Sequence, residues 1–264
     1  MQSKDIVTAN PWQVLRQFTS ARIALGRAGG SLPTAPMLEF QLAHARARDA
    51  VHLPLDAAAL EVRLTGMGLE SLRVHSAAPG RESYLKRPDL GRRLDASSRA
   101  LLQPCAESVA QDFDAVLVIA DGLAALAAHS SAVRVLALAH AALVQRGWRL
   151  APVVIAEQSR VALGDEIGEV LHAGQVAILI GERPGLSAAD SLGIYLTYEP
   201  RVGRTDAERN CISNVRADGG LGCMQAAHKL VYLMTEAQRR KYTGVALKDG
   251  SDEVPLLVPA ADPG

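Results

Sequence analysis

The chain has 264 residues, 48% apolar and 21% charged, the balance of a folded globular protein, which excludes disorder as its dominant state. Lys+Arg and Asp+Glu are each 28, so the basic excess that drives binding to a phosphate backbone is absent and no nucleic-acid partner is expected. Cys105, Cys211 and Cys223 show no C-x-x-C spacing, which argues against a disulfide framework or a thiolate metal site and for a reducing, cytoplasmic compartment.

In chain order, residues 10 to 60 read as helical, with Trp12, Leu15 and Phe18, and then Met37, Phe40 and Ala45, near helical spacing. A Gly- and Pro-rich loop, Arg22 to Thr34, interrupts them. Leu60, Val62 and Leu64 alternate with charged neighbours and predict a short strand, and Pro88 and Gly91 break the segment Tyr84 to Leu94. From Ser97 the pattern changes. A helix to Gln111 leads into the apolar run Ala115–Ala120, which reads as a strand buried on both faces. Asp121-Gly122, a long helical stretch to Gln145, and the strands Pro152–Ala156, Val176–Gly181 and Ile194–Tyr198 follow, with a short helix over Asp165–Leu171 and a closing helix over Met224–Lys241. The richest apolar window, 132–144, carries Arg134 and His140 and is read as core packing, so no membrane span is expected.

Strands alternating with helices at this spacing require crossovers. They predict an α/β fold: a Rossmann-like, mainly parallel sheet with helices on both faces, preceded by a smaller helical N-terminal part. The expected divisions are residues 1–95, 96–248 and a tail, 249–264, whose Gly, Pro and Asp content suggests mobility.

In such sheets ligands bind outside the carboxyl ends of the strands. Three loops leave those ends, at Asp121-Gly122, Gln158–Val161 and Gly181-Glu-Arg-Pro-Gly185, and a parallel sheet places them on one rim. No G-x-G-x-x-G follows a strand, and no P-loop or G-x-S-x-G elbow occurs, so ordinary dinucleotide, triphosphate and serine-hydrolase sites are not expected. Each rim residue also has a plain structural reading. Asp121 caps the next helix, Glu182 and Arg183 form a local ion pair, and Cys211 is an inert packed thiol. His44 and His52, eight residues apart, do not make a metal site. Of the 28 basic residues 23 are Arg, which codon bias explains as readily as a use of guanidinium forks on phosphates or interfaces.

Taken together, the stretches Arg22–Gly29, Tyr84–Leu94, Ala120–Leu123, Arg160–Glu169, Gly181–Leu186 and Asn210–Asn214 resemble the small (light) subunit family of ethanolamine ammonia-lyase, over about Arg22 to Lys248. The resemblance implies a lyase subunit that acts with a large barrel subunit. The pair converts ethanolamine to acetaldehyde and ammonia with adenosylcobalamin, whose cobalt is held without a histidine from this chain. The large subunit holds the substrate and most catalytic groups, so no catalytic residue and no metal ligand is expected here, and this chain covers one side of the cobalamin. The family's cofactor contacts carry over to Val161, Glu182 and Cys211, the last on the resemblance alone. Ala124 stands where many relatives have Ser. The short leader before Arg22 leaves enclosure in a bacterial microcompartment open and weakens it. Two other readings remain: a self-sufficient α/β enzyme using Asp121, Glu182 and Arg183, and a non-catalytic interaction protein docking through its Arg-rich N-terminal loops.

Overall fold

A computed structural model describes residues 6–107 and 112–256. The core is a six-stranded sheet of order β3-β5-β4-β6-β7-β8, built from β3 (Ser71–His75), β4 (Phe113–Ala120), β5 (Val153–Glu157), β6 (Ala173–Gly181), β7 (Leu192–Tyr198) and β8 (Arg209–Val215). The pairs β3/β5, β5/β4 and β4/β6 are parallel, and β7 and β8 add on antiparallel. Two short strands, β1 (Val7–Thr8) and β2 (Arg27–Ala28), pair with each other near the N-terminus.

Alternation along β4 splits the core into two layers, as a strand covered on both faces requires. Ala115, Leu117 and Ile119 face one side, where α2 (Ala57–Thr65), α6 (Val133–Gln145) and α8 (Cys223–Arg240) supply Leu60, Leu64, Leu136, Leu143, Leu230 and Met234. Val116, Val118 and Ala120 face the other, with Leu102 from α4 (Ala96–Glu107) and Leu163 and Ile167 from α7 (Leu163–Val170). The single turn α5 (Ala125–Ala127) passes through a π-helical turn (Ala128–Ala132) into α6. The span Ala125–Gln145 is long and apolar enough to cross a bilayer by composition, but Val133, Val135, Leu136, Ala139 and Leu143 are spent on the sheet and α8.

Several expectations need correction. Residues 60–64 form part of helix α2, not a strand: Asp56 caps it through the Ala59 N–H at 2.9 Å, Leu60 and Leu64 share its buried face, and Val62 is exposed. β3 and β8 were not anticipated as strands. β3 is an edge strand from residues 71–75, before the division expected at 95, and it pairs with β5 through Val74↔Ala156. The helix expected over 97–111 is α4 as far as Glu107, and its last four positions lie outside the described residues. In the tail, residues 249–253 are fastened to α8, Lys229 reaching Asp249 at 2.9 Å and Asp252 at 3.0 Å, while residues 257–264 lie outside the described part.

The N-terminal segment is helical, with a 3-10 helix over Pro11–Phe18 and α1 over Thr34–His52, but it builds little core. α1 buries only Ala43 and Ala50, and Trp12, Phe18, Leu32, Leu38 and Leu42 are all more than half exposed. A short helix, α3 (Arg81–Lys86), follows β3 in the chain.

Candidate functional site

The strands β4, β5 and β6 end level: Ala120 is in register with Ala156 on one side and with Ile180 on the other. Their exit loops therefore share one rim. The chain leaves β4 toward β5, whereas β6 turns directly into β7 on the opposite side, so the crevice between β4 and β6 is the topological switch point. Its floor is very tight. Gly122 has φ +56°, and a Cβ there would stand 2.2 Å from the Gly181 carbonyl oxygen; a Cβ on Gly181 would stand 2.1 Å from that of Ala124. Only glycine fits at either position.

Asp121 underlies this floor. Its carboxylate accepts the backbone N–H groups of Gly122 (2.8 Å), Gln158 (2.9 Å) and Ser159 (2.9 Å), and Arg81 Nη1 lies 3.3 Å away. It does not cap the following helix, whose N-cap is Ala124; it ties the β4 loop to the β5 loop. Burial pushes its pKa up to about 6, against the pull of these amides and Arg81. Arg81 in turn donates to the Val51 and Gly122 carbonyls (2.7 and 2.8 Å) and so links α1 to the rim.

Above the floor lies an open cavity of about 410 Å³ that includes Tyr84, Arg160, Val161, Glu182, Arg183 and Tyr195 in its walls. Val161 and Glu182 thus line one cavity. Glu182 makes no ion pair with Arg183. Its carboxylate accepts from Ser191 Oγ (2.5 Å), Ser213 Oγ (2.6 Å) and the Asn214 N–H (3.3 Å), and this pins it between β7 and β8. Cys211 does not line the cavity, but it is the cross-strand partner of Tyr195, which does, and the two side chains are hydrogen-bonded. Cys211 is exposed, and local desolvation nonetheless raises its thiol pKa, the Tyr195 bond acting the other way. A raised thiol pKa fits a contact residue and not a nucleophile.

Tyr84, Arg160 and Tyr195 were not singled out from the sequence. Tyr84 is fully buried and donates to the Ser159 carbonyl at 3.0 Å, and burial drives its phenol far above the ordinary value. The Arg81 and Arg160 guanidiniums lie 4.7 and 4.1 Å from its ring centroid. Among the described residues, Arg81 Nη2, Gln158 Oε1 and Arg160 Nε are buried near this rim without a protein partner. Such unpaired atoms concentrate at functional sites. The one available signal was adjacency, since Tyr84 and Arg160 open two of the recognised stretches. Arg87, also within the first of these, is taken up by Asp89 at 2.7 Å.

Beneath the site, α7 is braced both ways. Asp165 forms a buried ion pair with Arg209 of β8 (2.5 Å), and Glu166 accepts Leu94 N–H (2.8 Å) and Arg99 Nη1 (2.5 Å). Val161 precedes α7 and Cys211 follows Arg209 by two residues, so the brace sets both.

A doubly wound sheet with an open crevice at its switch point defines the class: an α/β chain of Rossmann type. The family is narrower. Residues 9–248 match the model of the ethanolamine ammonia-lyase light chain, and this chain belongs to that family. It is 59% identical over 251 residues to the ethanolamine ammonia-lyase small subunit of Ralstonia nicotianae, covering 95% of this chain and 92% of that protein. It is 55% identical over 249 residues to that of Pseudomonas fluorescens (94% and 90%) and 53% over 264 residues to that of Azotobacter vinelandii (100% and 97%).

Proposed function

We propose that this chain acts in the cytoplasm as the small subunit of an adenosylcobalamin-dependent lyase that converts ethanolamine to acetaldehyde and ammonia. A large subunit completes the site and holds the substrate. The observation that carries this reading is the convergence of Val161 and Glu182 on one cavity, with Cys211 joined to its wall through Tyr195. The residues present fit an edge of the cofactor. A cavity of about 410 Å³ that stays open is too small to enclose a corrin and suited to gripping its rim. The Glu182 carboxylate, already oriented by Ser191 and Ser213, can accept hydrogen bonds from the amide side chains of that rim. The Val161 and Ala162 N–H groups have no acceptor among the described residues and are available to the same ligand.

Adenosylcobalamin, when bound, supplies a cobalt–carbon bond whose homolysis yields the radical that acts on substrate. The chain's own task is to orient that group and keep water from it. Val161, Ile180 and Tyr195 offer apolar wall, and Glu182 fixes the ligand's rotation through directional bonds. No side chain of this chain need touch ethanolamine. The open cavity does not favour a self-sufficient enzyme, and Asp121, which that reading needs as an acid, is sealed beneath the floor by three amides. The exposed apolar residues of the N-terminal segment, tied to the rim through Arg81, suit the contact with the large subunit.

The test is co-purification with the large subunit, followed by the visible spectrum after adenosylcobalamin is added and unbound cofactor removed. The expected result is a corrin spectrum in the retained complex and in neither chain alone. A complex that forms but leaves all the corrin in the flow-through contradicts the reading.

A further inference from the structure

The cavity is unevenly charged. Two guanidiniums, Arg160 and Arg183, stand in its wall with one carboxylate, Glu182, whose oxygens already accept from Ser191, Ser213 and Asn214. The buried acids around it are taken up, Asp121 by Arg81 and three amides, Asp165 by Arg209 and Glu166 by Arg99. Arg183 is exposed and makes no ion pair or hydrogen bond among the described residues.

Arg160 is unlike a solvated surface arginine. Its guanidinium is stacked 4.1 Å from the Tyr84 ring centroid, Nη2 donates to the Tyr84 carbonyl (3.1 Å), and its N–H donates to the Gly91 carbonyl (2.8 Å). Gly91 packs so close that a Cβ there would meet the Arg160 Cγ at 2.9 Å. The side chain is therefore held before any ligand arrives, with Nη1 left without an acceptor among the described residues. A fixed fork loses little entropy on binding an anion. The N–H groups of Val161 and Ala162, free of acceptors at the start of α7, add positive potential on the same side.

We infer that Arg160 and Arg183 form an anion subsite in the switch-point cavity that takes the phosphodiester of the bound cofactor's nucleotide tail. The inference rests on the cobalamin reading and deepens it: Glu182 and Val161 grip the corrin edge, while the two arginines hold the tail and so fix which way the macrocycle faces.

The test is equilibrium binding by absorbance titration to the chain assembled with its large partner, with three probes. Adenosylcobinamide lacks the tail, adenosylcobinamide phosphate restores the phosphate without the base, and adenosylcobalamin carries both. The phosphate-bearing probes are expected to bind the wild-type complex more tightly than adenosylcobinamide. R183Q and R160Q are each expected to cut that preference about tenfold, the worth of one charge-assisted hydrogen bond. R183Q is the decisive variant, because Arg183 supports nothing else in the fold. If R183Q keeps the full preference, the subsite is wrong while the cobalamin reading stands. Inorganic phosphate is expected to compete with adenosylcobalamin and not with adenosylcobinamide; equal competition against both would assign the arginines to free anion and overturn the inference. A wild-type complex that binds none of the three probes removes the parent reading itself.

Discussion

Replacing Arg209 by methionine tests the brace under the site. Both side chains of the Arg209–Asp165 pair are 2% exposed, and Arg209 also donates to Thr197 Oγ1 (3.0 Å) and the Arg204 carbonyl (2.9 Å). Methionine fills most of the volume but leaves Asp165 buried without its ion-pair partner. Removing one partner of a buried pair costs about 3–5 kcal/mol, mostly the penalty of the charge left behind. Burial already pushes the Asp165 carboxyl up, and Arg209 is the strongest of the groups that pull it down, ahead of Thr197 and Arg204. In R209M that carboxyl therefore binds a proton more tightly, and the loss of stability grows as pH rises toward neutrality. Urea unfolding followed by fluorescence reads it, because Trp148 packs against the core on one face of the sheet. At a slope of about 2–3 kcal/mol per molar, the midpoint should fall by about 1–2 M. The double variant R209M/D165L should recover much of the loss, since an apolar pair carries no stranded charge. A midpoint for R209M within about 0.3 M of wild type at neutral pH would falsify the account of the brace.

Asp121 gives an opposite pH signature to most acids. Its folded pKa of about 6 lies above the ordinary 3.8, so the folded chain holds the proton more tightly, and stability from this group is full in acid and falls as pH rises through that window. Relative to D121N, the wild type should lose about 3 kcal/mol between about pH 4 and pH 7; parallel profiles would contradict it. Cys211, exposed but with a raised thiol pKa, should alkylate with iodoacetamide more slowly than a free cysteine peptide near neutral pH, and more slowly still once adenosylcobalamin is added to the assembled complex. Faster alkylation than the peptide would mark an activated thiolate instead. Phe18, 78% exposed, can become Asp with an unfolding change below about 0.5 kcal/mol but with weaker co-purification of the large subunit; unaltered assembly would remove the N-terminal segment from the contact.

The long-run elements were legible because burial on both faces leaves no ambiguity: Ala115–Ala120 and Val176–Gly181 carry no polar residue to hide the strand. The errors arose where a strand or helix is only half covered. Leu60, Val62 and Leu64 satisfy a period of two, yet Ala57, Leu60 and Leu64 satisfy a helical period equally, and the Asp56 cap decides between them. β8 reads as polar because Cys211 and Ser213 face the open side of the hairpin beyond α7. Nothing local tells that β7 runs antiparallel. The same limit governs the site. Val161 and Glu182 stood at strand ends where ligands are expected, whereas Tyr84 reaches the rim from a helix distant in sequence and Asp121 spends its carboxylate on amides 37 and 38 residues away.

The glycine contact between the β4 and β6 exit loops limits how this crevice can be remodelled. Neither Gly122 nor Gly181 can gain even a methyl without driving the two loops apart, so the bottom of the groove is bare peptide whatever ligand it serves. Any change of ligand preference by single substitution must come from the upstanding walls, among them Arg160, Val161, Ile180, Glu182, Arg183 and Tyr195. A library aimed at a new ligand preference would do well to leave the base of the groove fixed and vary the wall positions.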